Sequence, residues 1–436
     1  MTESDSNSYA IIGGGPSGLA AAKTLSQRGI PVVGFEREDD FGGNWYFDRP
    51  ASSVCHSTHL ISSKRMTEYT DFPMPSSYPP YPNHKQALEY LRSYARNFDL
   101  YSRFEFGRTV VRVEPETGSS GWLVTLDDGR PPRRFAGVVI ANGHHSTPLW
   151  PDIPGKFHGE LLHARDYKRP EQFAGRRVLV VGAGNSGCDL AVEAALHARS
   201  AAISLRRGYH FLPKFLLGTP IDTGGEWLRR HGAPLWLIRR LTRWMVHIAL
   251  GPTERYGLPK PTHDLFQTHP IVNSQLLYHV GHGAVQVKAD VESFDGSRVR
   301  FRDGDSDEFD TVVCATGYRV TFPFLDPGMI LDDQGRSRLY LHAFHPRHDD
   351  LFVAGMIQPN SGLWALAEWQ AKVMAAFIVA RRDSPARAEW FRQLKQSSNP
   401  DLAHGLRFDN SPRHAIEVEY YSYRERLKKL LRKLEG

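Results

Sequence analysis

The sequence has only three cysteines in 436 residues, Cys55, Cys188 and Cys314, and no two form a C-x-x-C pair. That excludes a disulfide framework and a thioredoxin-type dithiol couple, and makes a reducing compartment the expectation. Long apolar runs are also missing: none approaches the roughly 18 residues that a membrane-spanning helix needs. The segment Met1 to Ser8 is polar and acidic and lacks the apolar centre of a secretory leader. Charge of one sign is scarce. The net +6 comes from 54 basic and 48 acidic residues, small for this length, so the excess points to small anionic ligands rather than to nucleic acid. Cys55, His56 and His59 fall close together, but no second ligand pair lies at metal-site spacing, so no metal is expected.

The length suggests two or three domains rather than one core. The 38 glycines and 29 prolines suit a chain that builds several tight loops. One begins at Tyr9-Ala-Ile-Ile-Gly-Gly-Gly-Pro-Ser-Gly18. An apolar run enters a glycine turn, a small-residue helix follows over Leu19–Gln27, and a second apolar run, Val32–Phe35, ends on Glu36. Strand, glycine loop, helix and strand within about thirty residues is a dinucleotide-binding βαβ unit. The glycines allow a pyrophosphate to approach the helix N-terminus, and Glu36 would accept ribose hydroxyls, which suits FAD and repels a 2′-phosphate. The plan recurs at Arg177-Val-Leu-Val-Val-Gly-Ala-Gly-Asn-Ser-Gly187, with a helix over Leu190–Ala198 and a strand over Ala201–Leu205. Here the strand ends on Arg206-Arg207, and an arginine there pairs with a 2′-phosphate and selects NADP. Between the two loops lie a Pro- and Tyr-rich loop (Asp71–Pro82), a helix (Lys85–Asn97) and strands at Thr109–Val113 and Trp122–Leu126. Val138–Gly143 and Thr311–Gly317 read as buried strands ending in glycine, and the chain's returns to the first domain are placed near them.

Phe157-x-Gly159-x-x-x-His163-x-x-x-Tyr167 resembles the fingerprint of the flavin-containing monooxygenases, a match that composition alone gives roughly one time in 300. Further segments resemble the same family in the same order: Gly42-Gly43-Asn44-Trp45, Ser63-Lys64-Arg65-Met66 with Asp71-Phe72-Pro73-Met74-Pro75, Asn142-Gly143-His144-His145, Ala315-Thr316-Gly317-Tyr318 and Gly355-Met356-Ile357-Gln358-Pro359. The resemblance implies an α/β protein with two Rossmann-like dinucleotide-binding domains, the NADPH domain (169–311) inserted in the FAD domain (1–168 and 312–436). It implies FAD contacts at Gly13, Gly15, Pro16, Ser17, Gly18, Glu36, Arg37, Gly43, Trp45, Ser62, Met66, Val110, Ala141, Thr316, Gly317 and Gln358. NADPH contacts are implied at Gly182, Gly184, Asn185, Ser186, Gly187, Arg206 and Arg207.

The activity implied is that of an NADPH-dependent monooxygenase. Reduced flavin captures O2 as a C4a-(hydro)peroxide, shielded by NADP+, and a small nucleophile at nitrogen or sulfur takes the distal oxygen. The cofactor carries this chemistry, so no acid–base dyad is sought. One position departs from the family. Where many members carry an asparagine three residues before the lysine of the S-K-x-M block, this chain has Ile61, which leaves Ile61 and Ser62 as flavin-side candidates, with His59 nearby. The plant auxin-forming enzymes also lack that asparagine and oxidatively decarboxylate a 2-oxo acid; an uncoupled NADPH oxidase is a further alternative. A dithiol reductase of similar fold is opposed by the missing C-x-x-C. His163 and Tyr167 are expected to tie the linker to the second glycine loop rather than to transfer protons. Glu226–Leu250 interleaves Arg229, Arg230, Arg239, Arg240 and Arg243 with Trp227, Trp236 and Trp244, and is expected as a packed helical insertion with a solvated arginine face, the alternative being a helix lying on anionic lipid or a partner. A basic amphipathic helix closes the chain over Tyr423–Leu434. The sequence stops without the apolar tail that anchors animal members, so a soluble, cytoplasmic enzyme is expected, compatible with a homodimer.

Overall fold

The computed structural model describes residues 5–50, 52–118, 120–265, 271–397, 400–404 and 416–436. The chain forms two compact units, one made of 1–52, 62–146 and 320–436, the other of 53–61 and 147–319. Each unit is built on a five-stranded parallel sheet.

In the first unit the strands lie in the order Leu351–Val353, Gly137–Ile140, Tyr9–Ile12, Val32–Glu36 and Phe104–Phe106. Short, wholly buried apolar strands such as Tyr9–Ile12 and Gly137–Ile140 are what a sheet covered on both faces demands. Ala10, Ile12, Val138 and Ile140 join Val113, Trp122, Val124 and Phe135 in one core cluster. That face is therefore covered by the antiparallel meander Val110–Pro115, Trp122–Leu126 and Arg133–Phe135. Against the sheet's first strands lies the helix Pro16–Gln27, whose buried Ala20, Ala21 and Ala22 permit close approach, and the long helix Trp364–Asp383 packs on it.

The second unit repeats the layering. Its strands run Glu160–His163, Thr311–Cys314, Arg177–Val181, Ser200–Ser204 and Val285–Lys288. The strand period of two sorts residues to opposite faces. Val178 and Val180 meet the helix Asn185–His197, whereas Leu179 and Val181 meet Val291, Phe294, Val299 and Phe301 of a four-stranded sheet.

The division differs from the sequence expectation of 1–168 and 312–436 against 169–311. Glu160–His163 pairs in register with Thr311–Cys314, which pairs with Arg177–Val181, so hydrogen bonding draws both flanks into the second sheet. The strand Thr311–Cys314 itself belongs to the second unit, and the chain returns to the first at Val320, just past Gly317. The segment 53–61 also belongs to the second unit, for which the sequence carried no signal. The insertion around 226–250 forms two helices, Ile221–Arg230 and Leu235–Leu250, and the closing helix is longer than expected, Tyr420–Glu435. No helix among the described residues is long and apolar enough to cross a membrane.

Candidate cofactor sites

The first glycine loop leaves the sheet at Ile12. Gly13, at φ +107°, donates its N–H to the Phe35 carbonyl at 2.9 Å, and a Cβ there would stand 2.6 Å from the Ala141 carbonyl oxygen. A Cβ on Gly18 would stand 1.8 Å from the Gly13 oxygen. Gly13 and Gly18 therefore serve the loop's own packing. Gly15 is different: its Cβ would meet only the Gly43 Cα, at 3.6 Å, so the protein leaves room there. Gly15 caps the helix without any side-chain hydrogen bond, and Pro16 takes the first helical turn, where a missing N–H costs nothing. First-turn amides uncapped by a side chain, beside an open glycine, fit a bound pyrophosphate.

Glu36 is buried at the end of its strand, 5% exposed. One carboxylate oxygen accepts the Gly14 N–H at 2.5 Å and the other the Glu38 N–H at 2.9 Å. Burial raises its pKa, and these two amides oppose the rise. Each oxygen keeps a further lone pair with which to accept a ribose hydroxyl. Arg37 is half-exposed, 3.9 Å from Glu38.

Around this loop the segments resembling the family acquire concrete roles. Trp45, in the turn Gly43–Trp45, packs edge-on against Trp364 at 5.7 Å. Lys64 Nζ donates to the carbonyls of Pro75, Ser76 and Tyr78 at 3.0, 3.1 and 2.6 Å, so that lysine shapes the Pro-rich loop. Asp71 pairs with Lys23 of the loop helix, which also lies 3.4 Å from the fully buried Glu368. Met66 is buried, its carbonyl oxygen 1.9 Å from where a Cβ on Gly362 would be. Ser62 Oγ shares a hydrogen with Thr67 Oγ1 at 2.9 Å. Val110 opens the meander, Ala141 donates its N–H to the Ile12 carbonyl, and Gln358 donates its N–H to Ile416. Gly355, at φ +77°, comes so near the loop helix that a Cβ would fall 2.0 Å from Ser17 Oγ. Its N–H is held at 2.8 Å by Gln370, which donates to the Tyr423 hydroxyl, which donates in turn to the Leu341 carbonyl. Sequence reasoning missed Gln370 and Tyr423, since neither lies in a recognisable pattern.

The second loop follows the same rules. Gly182, at φ +103°, donates to the Ser204 carbonyl at 3.1 Å, and its Cβ would meet the Ala315 oxygen at 2.8 Å. A Cβ on Gly187 would stand 2.0 Å from the Gly182 oxygen. Gly184 caps the helix Asn185–His197, again with no side-chain bond. Ser186 is exposed on the first turn. Asn185 Oδ1 accepts the Val272 N–H at 2.8 Å, and Asn273 Nδ2 donates to Asp189 at 2.7 Å. Burial pushes the Asp189 carboxyl up to about 6, against the pull of Lys214. Asn273 and Asp189 carried no sequence signal. Arg206 is exposed, while Arg207 is half-buried with its guanidinium over the Tyr209 ring at 5.6 Å. Thr316 and Gly317 follow Ala315 on the strand beside this second loop, as Ala141 and Asn142 follow theirs beside the first.

The fingerprint residues line the outer edge of the second sheet. A Cβ on Gly159 would lie 2.5 Å from the Asp310 oxygen, and Phe157 packs on Phe294. His163 Nε2 donates to the Gly317 carbonyl at 3.1 Å, while Nδ1 accepts the Arg165 N–H at 3.2 Å. The two bonds fix a neutral imidazole, and burial lowers its pKa accordingly. Tyr167 stacks on Phe173 and donates to Glu193 of the loop helix at 2.9 Å. Tyr167 thus ties the linker to the second loop helix, whereas His163 bonds to the Gly317 carbonyl and the Arg165 amide and not to the glycine loop. Ile61, in the second unit, is 41% exposed. In the helix Leu235–Leu250, Trp236 and Trp244 are 64% and 62% exposed, on one face with the exposed Arg240 and Arg243, which corrects the expectation that the tryptophans pack inward. The side chains of Glu226, Trp227, Arg229 and Arg230 lie outside the described residues.

Residues 6–433 match the family described as flavin-binding monooxygenase-like. Human flavin-containing monooxygenase 5 is 34% identical over 448 residues, covering 97% of this chain and 82% of its own. The dimethylaniline monooxygenase (N-oxide-forming) 2 of Pan troglodytes is 32% identical, covering 96% and 81%. Among solved structures, cyclohexanone monooxygenase from Rhodococcus sp. Phi1 bound to NADP+ superposes with a TM-score of 0.69 at 19% identity, covering 98% and 97%.

Proposed function

The chain belongs to the flavin-binding monooxygenase-like family, and from that membership we propose which residues hold its cofactors and what it oxygenates. It is an FAD- and NADPH-dependent flavoprotein monooxygenase. When bound, the two cofactors supply hydride transfer and dioxygen activation; the chain's residues bind, orient and exclude water. Residues of the first unit (1–52, 62–146 and 320–436) hold FAD. The amides of Gly15, Ser17 and Gly18 face the pyrophosphate, Glu36 accepts the ribose hydroxyls, and Trp45, Ser62, Met66 and Gln358 line the flavin side. The second unit holds NADPH at Gly182–Gly187, with Arg206 on the 2′-phosphate. Thr316 and Gly317 are reassigned to this nucleotide.

The observation that carries the assignment is the contrast at the strand ends: a buried acid, Glu36, beside one uncapped loop, and an exposed arginine, Arg206, beside the other. The substrate is a small soft nucleophile, an amine or a thioether, as the N-oxide-forming name of one relative supports. We place the enzyme in the cytoplasm. The test mixes purified enzyme with NADPH and O2, with and without methyl phenyl sulfide or N,N-dimethylaniline. Sulfoxide or N-oxide formed in proportion to NADPH consumed is expected. Stoichiometric hydrogen peroxide with every amine and sulfide would overturn the substrate class and favour an oxidase or a 2-oxo-acid substrate.

A further inference from the structure

We propose that Tyr167, Glu193 and His56 are positioning residues that lock the strap 53–61 onto the second loop helix, so that the unit carrying the NADPH loop sets the place of Ile61. The inference rests on the monooxygenase reading and deepens it. Two hydrogen bonds, one between backbones and one from a side chain, pin the strap to the residue after the fingerprint tyrosine: His56 donates its N–H to the Lys168 carbonyl at 3.0 Å, and Lys168 Nζ donates to the Val54 carbonyl at 3.3 Å. Cys55 enters the same buried cluster as Tyr167 and Phe173. One carboxylate oxygen then gathers the side chains. Glu193 Oε2 accepts the Tyr167 hydroxyl at 2.9 Å, His56 Nε2 of the strap stands 3.9 Å from it, and so does His197 Nε2 from the next helical turn. Burial keeps the Tyr167 phenol protonated and donating.

Glu193 lies on the helix that begins at Asn185, directly after the second glycine loop. A helix is stiff over that distance, so loop and strap move as one body. The chemistry of position 61 explains why this matters. An asparagine could rotate to find a hydrogen-bonding partner. Ile61 has no such group, and can contribute only through its bulk. Steric exclusion works only while the backbone holds the side chain in place.

The test uses the full chain loaded with FAD, as Tyr167→Phe, which keeps the stacking on Phe173, and His56→Gln, singly and together. Losing the Tyr167 hydrogen bond, or the 3.9 Å contact of His56 with Glu193, should speed amide exchange in residues 53–61 and raise hydrogen peroxide released per NADPH, with methyl phenyl sulfide present, by about 2- to 10-fold, while FAD content, the rate of flavin reduction and KM for NADPH stay within about 2-fold. The double variant should be no worse than the worse single, since both break one contact set. Tyr256→Phe, which removes a hydroxyl bonded to the Leu250 carbonyl at 2.9 Å in the same unit, should leave the leak at the wild-type level. Unchanged strap exchange in both single variants overturns the proposal whatever the activity. So does loss of FAD and NADPH affinity in parallel with the leak, or an equal leak from Tyr256→Phe. If the wild type itself releases all its reducing equivalents as peroxide, the monooxygenase reading fails, and strap exchange still decides the clamp.

Discussion

In the first unit Gly13 gives its N–H to the Phe35 carbonyl; in the second, Gly182 gives its N–H to Ser204. That shared bond aligns the two strand ends residue by residue, so Glu36 corresponds to Leu205 and Arg37 to Arg206. Everything set by backbone sterics is the same on both sides: the positive φ of the first glycine, the contact that forbids a Cβ on the last, and the parallel sheet with a meander over one face. What differs is one buried position. Glu36 turns its carboxylate back onto the Gly14 amide, whereas Leu205 is a core residue and the adjacent Arg206 is exposed. The comparison teaches that a common scaffold can differ at the strand end with the glycines unchanged, and on the proposed assignment that one position separates the FAD loop from the NADPH loop. The sheets also differ at the outer edge: the strand beyond Gly137–Ile140 comes from late in the chain, Leu351–Val353, while its counterpart beyond Thr311–Cys314 is the earlier Glu160–His163.

The largest test of this parallel is a pair of substitutions. Gly18→Ala and Gly187→Ala each drive a Cβ to within 1.8 or 2.0 Å of a backbone oxygen, so each loop's backbone must shift, at a cost of at least about 1–3 kcal/mol. Gly18→Ala should purify colourless. Gly187→Ala should stay yellow but resist reduction by NADPH, as a flavin spectrum with and without NADPH will read. Loss of FAD from both would break the assignment of one nucleotide to each unit. Gly15→Ala sharpens it: the protein has room for that Cβ, so the variant should melt like the wild type yet fail to retain FAD. Next in size, Arg206→Ala should raise KM for NADPH about 10-fold and leave NADH unchanged, the loss expected of a charge-assisted phosphate bond. Unchanged NADPH kinetics would move the phosphate to Arg207.

The smallest expected effect distinguishes the units by acid. In the first unit, burial lowers His342 and His345 to about 4 from the ordinary 6.5, and His144 and His348 are lowered too; in the second, His163 is lowered. The unfolded chain therefore takes up protons first as pH falls below 6.5, and the native state loses stability until about pH 4. Hydrogen exchange between pH 6.5 and 4 should loosen the first unit before the second. The reverse order would contradict the buried, neutral state of His342 and His345.

Much of this was legible in the sequence because it rests on local rules. Both glycine loops, their strand-end charges and the fingerprint spacing are short-range patterns. The helix His84–Asn97, closed by a full capping box between Asn83 and Gln86, began within a residue of expectation. What could not be read depends on strand pairing and long-range contact. No local signal says that Glu160–His163 pairs with Thr311–Cys314, that Thr316 lies beside the second loop, or that 53–61 leaves its neighbours. Gln370 and Tyr423 join Gly355 across long stretches of chain, and the exposure of Trp236 and Trp244 reverses what residue type alone suggests.

The placement of Leu351–Val353 and Tyr423 has a consequence for how the protein is made. The second unit's five-stranded sheet is complete once synthesis passes Cys314. The first unit's founding strand, Tyr9–Ile12, is among the earliest residues to emerge, yet its sheet stays one strand short until Val353, and the bond that steadies Gly355 waits for Tyr423. At roughly 5–20 residues per second, the nascent chain carries a finished nucleotide unit beside an open sheet for seconds, and its first segment is among the last to be enclosed.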